Sequence, residues 1–328
     1  MQILFYAAVP SADLFQVVEF YRGDIEILRA LGHEVVLART PADLRAPFDL
    51  ACVWWQTSGT PAILAARLRH RPTILLTALS ERDTTASGMV AKGPAARAAG
   101  RLSLALADLV LATSEDTRLG LLPRRSRDVW TAPLGVDTDL YRPGERGAEQ
   151  FVFTVSHLTA DNVQRKRILD VVRAIALVPA LRGVIAGRRG DGAATVDAEI
   201  ERLGVGDRVE LLGPIPVQRK IELMQSAVVY LQPTDYEAFG MAIAEAMACG
   251  TPVVSNAVGN VPALVGDAGI LLPAAASPQA MADVLASAVE HDRDSLGLRG
   301  RARIVEHFSI ARRRELVKSA LAHVLAPS

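Results

Sequence analysis

Residues 233–254 read Pro-Thr-Asp-Tyr-Glu237-Ala-Phe-Gly240-Met-Ala-Ile-Ala-Glu245-Ala-Met-Ala-Cys-Gly250-Thr-Pro-Val-Val254. The apolar run Val228–Gln232 precedes this stretch and the run Pro252–Ser255 closes it, giving the order strand, tight turn, helix, strand. Two glutamates stand eight positions apart around a Phe-Gly turn. The spacing predicts Glu237 at the helix mouth and Glu245 two turns inside, roughly 12 Å down the axis at 1.5 Å per residue. A helix mouth has free backbone N–H groups and a partial positive charge, which suit a phosphate. Twelve ångströms is about the reach from a diphosphate to the ribose of the same nucleotide, whose adjacent hydroxyls can both donate to one carboxylate. The neighbours of Glu245 (Ala244, Ala246, Met247, Ala248) are small or apolar. A carboxylate on such a face needs a partner.

Short apolar runs alternate with helical patterns on both sides of this stretch. Strands are expected near Ile3–Ala7, Glu34–Ala38, Leu50–Trp54, Thr73–Leu76, Leu109–Ala112 and Val129–Ala132, with helices near Leu14–Leu31, Pro61–Arg69, Ala95–Ala107 and Glu115–Leu121. Residues 136–149, rich in Pro, Gly and charge, read as a linker. A second series follows at Phe151–Ser156, Val184–Ala186, Val209–Leu212, Val228–Gln232, Val253–Ser255 and Ile270–Leu272. Such alternation predicts α/β architecture: two doubly wound parallel-sheet domains with helices on both faces. Ligands of such domains bind at the carboxyl ends of the strands. A chain of 328 residues accommodates two domains of ordinary size.

Composition excludes several classes. Half the residues are apolar, 22% are charged and the formal net charge is zero, so the basic excess of a nucleic-acid-binding protein is missing. No uninterrupted apolar run approaches 18 residues, so no membrane span is expected, although peripheral membrane contact remains open. The N-terminus reads as a first strand and not as a signal peptide, and a cytoplasmic location is expected. Cys52 and Cys249 lie in apolar surroundings without a C-x-x-C partner and read as buried thiols. Only four of the 36 Lys and Arg residues are lysine: 92, 166, 220 and 318.

The 233–254 stretch resembles the E-x-seven-E signature of retaining glycosyltransferase family 4, the group 1 glycosyltransferases of GT-B fold. Ala132-Pro-Leu-Gly-Val-Asp137-Thr-Asp-Leu-Tyr-Arg-Pro143 is similar to that family's interdomain signature. Val155-Ser-His157-Leu158 followed by Arg165-Lys166-Arg167 is similar to its "G-R-L … K-G" strand and helix start. The resemblance covers residues 130–275. In the first 120 residues it is limited to Gly32-His33-Glu-Val and Leu106–Ser114.

The resemblance implies two Rossmann-like domains facing a central cleft. Residues 1–145 with a returning helix, 309–326, would take the acceptor, and 146–308 the nucleoside-diphosphate sugar. It implies sugar transfer to a hydroxyl acceptor (glycan, lipid-linked or small molecule) with retention, without metal or other cofactor. Glu245 would hold the donor ribose and Glu237 would lie near the transferred sugar. Lys166 would neutralise the diphosphate, together with the helix mouth at Phe239, Gly240 and Met241. His157 stands where the family usually has arginine. Either it is protonated beside the phosphates, or Arg165 supplies the charge, or phosphate binding is weaker. The alternatives are a non-catalytic GT-B partner protein and a sugar-nucleotide epimerase or phosphorylase of similar shape.

The family's histidine and glycine-rich loop in the first domain find no match, so Gln56, Thr57 and Ser80 are the expected hydrogen-bonding groups for the acceptor. Trp55 is expected to stack on it, with one of the pair Trp54-Trp55 in the core. Asp137-Thr-Asp139 spells a metal motif of another fold, but in this position reads as part of the interdomain signature. Gly187–Gly192 lacks dinucleotide spacing and reads as a loop. Arg312–Arg314 reads as a solvated face of the last helix.

Overall fold

A computed structural model describes the chain except residues 126–127, 146, 148–149, 291–292 and 327–328, and leaves aside the side chains of 288–290 and 293. Part of the expected 136–149 linker thus lies outside the described residues. The chain forms two compact units: Met1–Gly135 with Ile310–Ser328, and Val136–Ser309.

The first unit holds strands β1 (Gln2–Tyr6), β2 (Glu34–Ala38), β3 (Leu50–Trp54), β4 (Thr73–Thr77), β5 (Leu109–Ala112) and β6 (Val129–Thr131) in the order β2-β1-β3-β4-β5-β6. All neighbouring strands are parallel. Every residue of β3, β4 and β5 is buried, which explains why these strands read as continuous apolar runs instead of alternating ones. The winding reverses between β1 and β3, so a crevice opens at the carboxyl ends of those two strands.

The second unit holds β7 (Phe151–Val155), β8 (Arg182–Ala186), β9 (Val209–Gly213), β10 (Val229–Gln232), β11 (Val253–Asn256) and β12 (Ile270–Leu272), in the order β12-β11-β10-β7-β8-β9. These pairs are parallel too. Counted from β7 this is the Rossmann order, and its reversal lies between β7 and β10. The helix Ile168–Ala176 buries Ile168, Val171, Val172 and Ile175, the i, i+3, i+4, i+7 stripe that seals one sheet face. Gly204, at φ 63, closes the helix Ala193–Leu203 in the left-handed conformation that glycine adopts at least cost. Among the described residues no helix is long and apolar enough to cross a membrane.

Three expectations change. The helix expected over Leu14–Leu31 is two helices, Leu14–Val17 and Glu19–Ala30, separated by an extended Val18. The break lets Phe15 and Tyr21 both turn inward, with ring centroids 6.0 Å apart.

The segment starting at Val136 is no loose linker. Val136 and Tyr141 are buried, and Arg301 donates to the carbonyls of Thr138 and Tyr141 at 2.8 and 2.6 Å. Backbone bonds to one distant guanidinium leave no periodicity in the sequence.

Arg313 is not solvated. It lies on the helix Ile310–Leu325, which belongs to the first unit, and is 4% exposed. Its Nε and Nη2 donate to Asp24 at 2.5 and 2.9 Å, and its Nη1 donates to the carbonyls of Ala132 and Pro133 at 2.8 Å. The fork geometry of guanidinium satisfies a buried carboxylate and two orphan carbonyls at once.

Candidate active site

Charged side chains gather where the second sheet reverses. Strand β7 ends at Val155, and the chain continues into a short helix, Ala160–Arg165, whose first turn is capped by Thr159 Oγ1 accepting from the Asn162 N–H at 3.3 Å. Lys166 follows directly. Strand β10 ends at Gln232 and runs into the loop that carries Glu237. The Arg165 carbonyl ties the two loops together, accepting from Asp235 N–H at 2.7 Å and Thr234 Oγ1 at 3.2 Å. Glu237 Oε1 accepts from Gln232 Nε2 at 2.7 Å and from Arg165 Nη1 at 3.4 Å. Gln232 is oriented in turn by Tyr230, whose hydroxyl donates to Gln232 Oε1 at 2.8 Å. Lys166 Nζ donates to the Val155 carbonyl at 3.3 Å. Burial pushes the Lys166 ammonium below the ordinary lysine range, Glu237 and Glu245 pull it upward, and Arg165 adds to the downward push.

The helix begins later than the spacing suggests. It spans Met241–Ala248, and Gly240 precedes it at φ 96, a conformation open to glycine. Glu237 therefore lies in the loop, held by Asn260, whose N–H donates to the Glu237 carbonyl at 2.9 Å and whose Nδ2 donates to the Phe239 carbonyl at 3.0 Å. Glu245, four residues past Met241, is about 6 Å inside the helix and not two turns. Phe239 is buried, edge-on to Phe308 at 5.9 Å. Glu245 is also buried, at 2% exposure, and pairs through Oε2 with Lys220 Nζ at 3.0 Å.

The other expected donor groups divide. His157 Nδ1 accepts from the Arg188 N–H at 3.1 Å, so the ring's proton sits on Nε2. Desolvation lowers its pKa below the ordinary histidine value, helped by the charges of Arg188 and Lys166. Arg165 is engaged by Tyr236, Glu237 and Asn162, the last at 2.9 Å, and so holds the Glu237 loop. Asp137 Oδ1 accepts from the N–H groups of Asp139 and Leu140 at 3.1 and 3.0 Å, a turn-forming role. Among the described residues no three His, Cys, Asp or Glu side chains are grouped to hold a metal ion. In the glycine loop after β8, a Cβ on Gly187 would stand 1.9 Å from the Ser156 carbonyl oxygen.

At the carboxyl ends of the first sheet the groups are aromatic. Trp54 is core, and its Nε1 donates to Asp24 at 3.1 Å. Trp55 has left the strand at φ 70, and its Nε1 donates to the Tyr21 hydroxyl. The two indoles therefore lie on the same side, 5.4 Å apart, instead of on opposite faces. Gln56 is buried, with Nε2 directed at Met89 Sδ at 3.7 Å, and Thr57 is half-buried. Ser80 is wholly buried under Gly120, its Oγ accepting from the Arg82 N–H at 3.1 Å. Of the four expected acceptor residues, Trp55 and Thr57 retain exposed surface.

Sequence reasoning passed over Gln232, Asn260 and Lys220. A polar residue closing an apolar strand signals Gln232, and lysine rarity signals Lys220. Asn260 works through a carbonyl and leaves no signal.

The fold and this charged switch point define a two-unit α/β protein of the GT-B class. Solved structures agree over the whole chain. Sucrose-phosphate synthase from Thermosynechococcus elongatus superposes with a TM-score of 0.82 at 20% identity, covering 100% of both chains. Anabaena HepE in complex with UDP-glucose gives 0.80 at 19% identity, covering 98% of this chain and 100% of the other.

Residues 141–304 match the profile of the family described as glycosyl transferases group 1, and the chain belongs to that family. The D-inositol 3-phosphate glycosyltransferase of Mycolicibacterium smegmatis is 37% identical over 143 residues, 40% of this chain and 33% of that protein. Its counterpart from Mycobacterium leprae is 33% identical over 181 residues, 49% of this chain and 41% of that protein. The matched stretches thus span well under half the length of these curated relatives.

Proposed function

We propose that this protein transfers a sugar from a nucleoside-diphosphate donor to a hydroxyl acceptor, with retention of configuration and without a metal ion. The observation that carries the reading is the convergence of Lys166 and Glu237 at the reversal of a Rossmann-ordered sheet, beside a helix opened by Gly240. Lys166 and the first N–H groups of the helix would take the charge that builds on the leaving phosphate. Glu237, with one oxygen already held by Gln232 and Arg165, would fix the transferred sugar. As the bond from the anomeric carbon to the leaving phosphate breaks, the acceptor oxygen would bond to that carbon from the same face. Its proton would pass to the phosphate oxygen just released, so no separate protein base is required. Glu245 would accept from the ribose hydroxyls, a role that rests on its match to the second glutamate of the family's signature.

The relatives' name makes D-inositol 3-phosphate one acceptor to try, and the HepE complex makes UDP-glucose one donor. A non-catalytic binding role is the second reading, and histidine at 157, where the family usually has arginine, is the observation in its favour. Incubation with UDP- and GDP-sugars and following nucleotide release, with and without EDTA, tests the proposal. Turnover unaffected by EDTA, with the α-anomeric configuration of an α-linked donor kept in the product, is the expected result. Loss of turnover on chelation, restored by manganese, would overturn the metal-free mechanism. Binding of nucleotide without any turnover would favour the second reading.

A further inference from the structure

Lys220 lies on the helix Val217–Ser226, outside every motif that led to the site. Its Nζ stands 3.0 Å from Glu245 Oε2, with side-chain exposures of 14% for the lysine and 2% for the glutamate. The ammonium also lies 5.0 Å from the centroid of the Tyr141 ring, whose π face attracts a cation. Two ions withdrawn from water in this way are seldom kept for stability, since well-packed apolar residues of the same volume usually serve as well or better. What such a pair does secure is the ionised state and the orientation of each partner. A buried carboxylate without a counter-charge takes up a proton, and the acid form loses acceptor capacity and direction.

We propose that Lys220 is the positioning residue for Glu245: it keeps the carboxylate ionised and sets its plane so that the carboxylate accepts from the two vicinal hydroxyls of the donor ribose. This deepens the donor reading above and rests on it. A carboxylate accepts at about four lone-pair positions, so one ammonium contact is compatible with further acceptance. The Tyr141 ring behind the ammonium limits the positions Lys220 can take, and the placement passes from the 137–143 segment through Lys220 to Glu245. Lysine is rare in this chain, four residues against 32 arginines. An ammonium fits where a planar guanidinium would need more room and more acceptors.

The test is calorimetric binding of UDP and of 2′,3′-dideoxy-UDP, which lacks the two hydroxyls, to the wild-type protein and to K220M, K220R, E245A and K220M/E245A. Lys220→Met is expected to weaken UDP binding ten- to hundred-fold while leaving the dideoxy compound bound as in the wild type. K220R should recover only part of the loss, because it restores the charge but not the fit of the ammonium, and the double variant should be no weaker than E245A alone. Equal weakening of both nucleotides, or of neither, would overturn the proposal, because a merely structural lysine does not distinguish ribose hydroxyls. If K220M fails to fold, K220Q carries the same comparison. A wild-type protein that binds UDP but does not discriminate against the dideoxy form removes the ribose role of Glu245 and this proposal with it. One that binds neither UDP, GDP nor ADP removes the donor reading itself.

Discussion

The two sheets reverse their winding in the same manner and furnish the two crevices differently. Between β7 and β10 the carboxyl ends carry Lys166, Glu237 and Arg165, all hydrogen-bonded to neighbouring groups. Between β1 and β3 the end of β3 carries Trp54 and Trp55, with Phe20 and Tyr21 of the helix Glu19–Ala30 packed on them, centroids 4.4–6.1 Å apart. The first unit's buried ion pair, Asp24 with Arg313, supports this aromatic cluster from beneath by accepting the Trp54 N–H. One crevice thus has charge near its surface, suited to a phosphorylated ligand. The other keeps its charge 4% exposed and presents rings. A topological switch point fixes where a ligand binds, and the residues at the strand ends fix which kind.

The comparison predicts different losses when a charge is removed from each unit. Arg313→Met leaves Asp24 buried without its partner, so a loss of about 3–5 kcal/mol in unfolding free energy is expected. Urea denaturation followed by tryptophan fluorescence measures it, since Trp54 is bonded to the same carboxylate. A loss below 1 kcal/mol would mean that the pair carries no more than a surface contact does.

Lys166→Met should lower kcat for donor cleavage by about 10²–10³, the range for removal of one preorganised charge stabiliser. Its urea midpoint should change little, because Lys166 has one weak backbone bond to lose. Unchanged kcat would take the leaving-group role from Lys166.

The smallest effect belongs to His157. Its folded pKa is lowered, so between that value and the ordinary value of about 6.5 the unfolded chain binds the proton first. The stability it contributes is complete above pH 6.5 and is lost as pH falls through the folded value, when Nδ1 can no longer accept from Arg188. His157→Gln should therefore flatten the stability profile below pH 6.5 and leave donor KM unaltered from pH 6.5 to 8. A KM inflection above pH 6.5 that the substitution abolishes would show that the ring titrates on the donor.

Much of this was legible in the residues because the physics is local. A parallel strand buried on both faces must be a short apolar run, and β3 and β5, buried at every residue, begin and end where those runs do, as do the edge strands β2 and β12. Glu237, Lys166 and Gly240 are visible because a charge or a glycine beside a strand end has few other uses. The helix starts at Met241, several residues past Glu237, because the Phe-Gly turn is longer than helical periodicity suggests. Trp55 escaped the two-residue alternation because one left-handed residue redirects its ring. The three consecutive arginines 312–314 look alike in sequence, and what separates Arg313 from its neighbours is Asp24, 289 positions away.

That separation has a consequence for the order of synthesis. Asp24 leaves the ribosome 289 residues before the guanidinium that neutralises it, and all of Val136–Ser309 is made in between. At roughly 5–20 residues per second the carboxylate waits on the order of tens of seconds. From residue 131 onward the nascent first unit has every one of its strands but not its internal counter-charge, and the second unit, contiguous in the chain, is complete four residues before Arg313 is added. The part of the protein begun first is the part completed last.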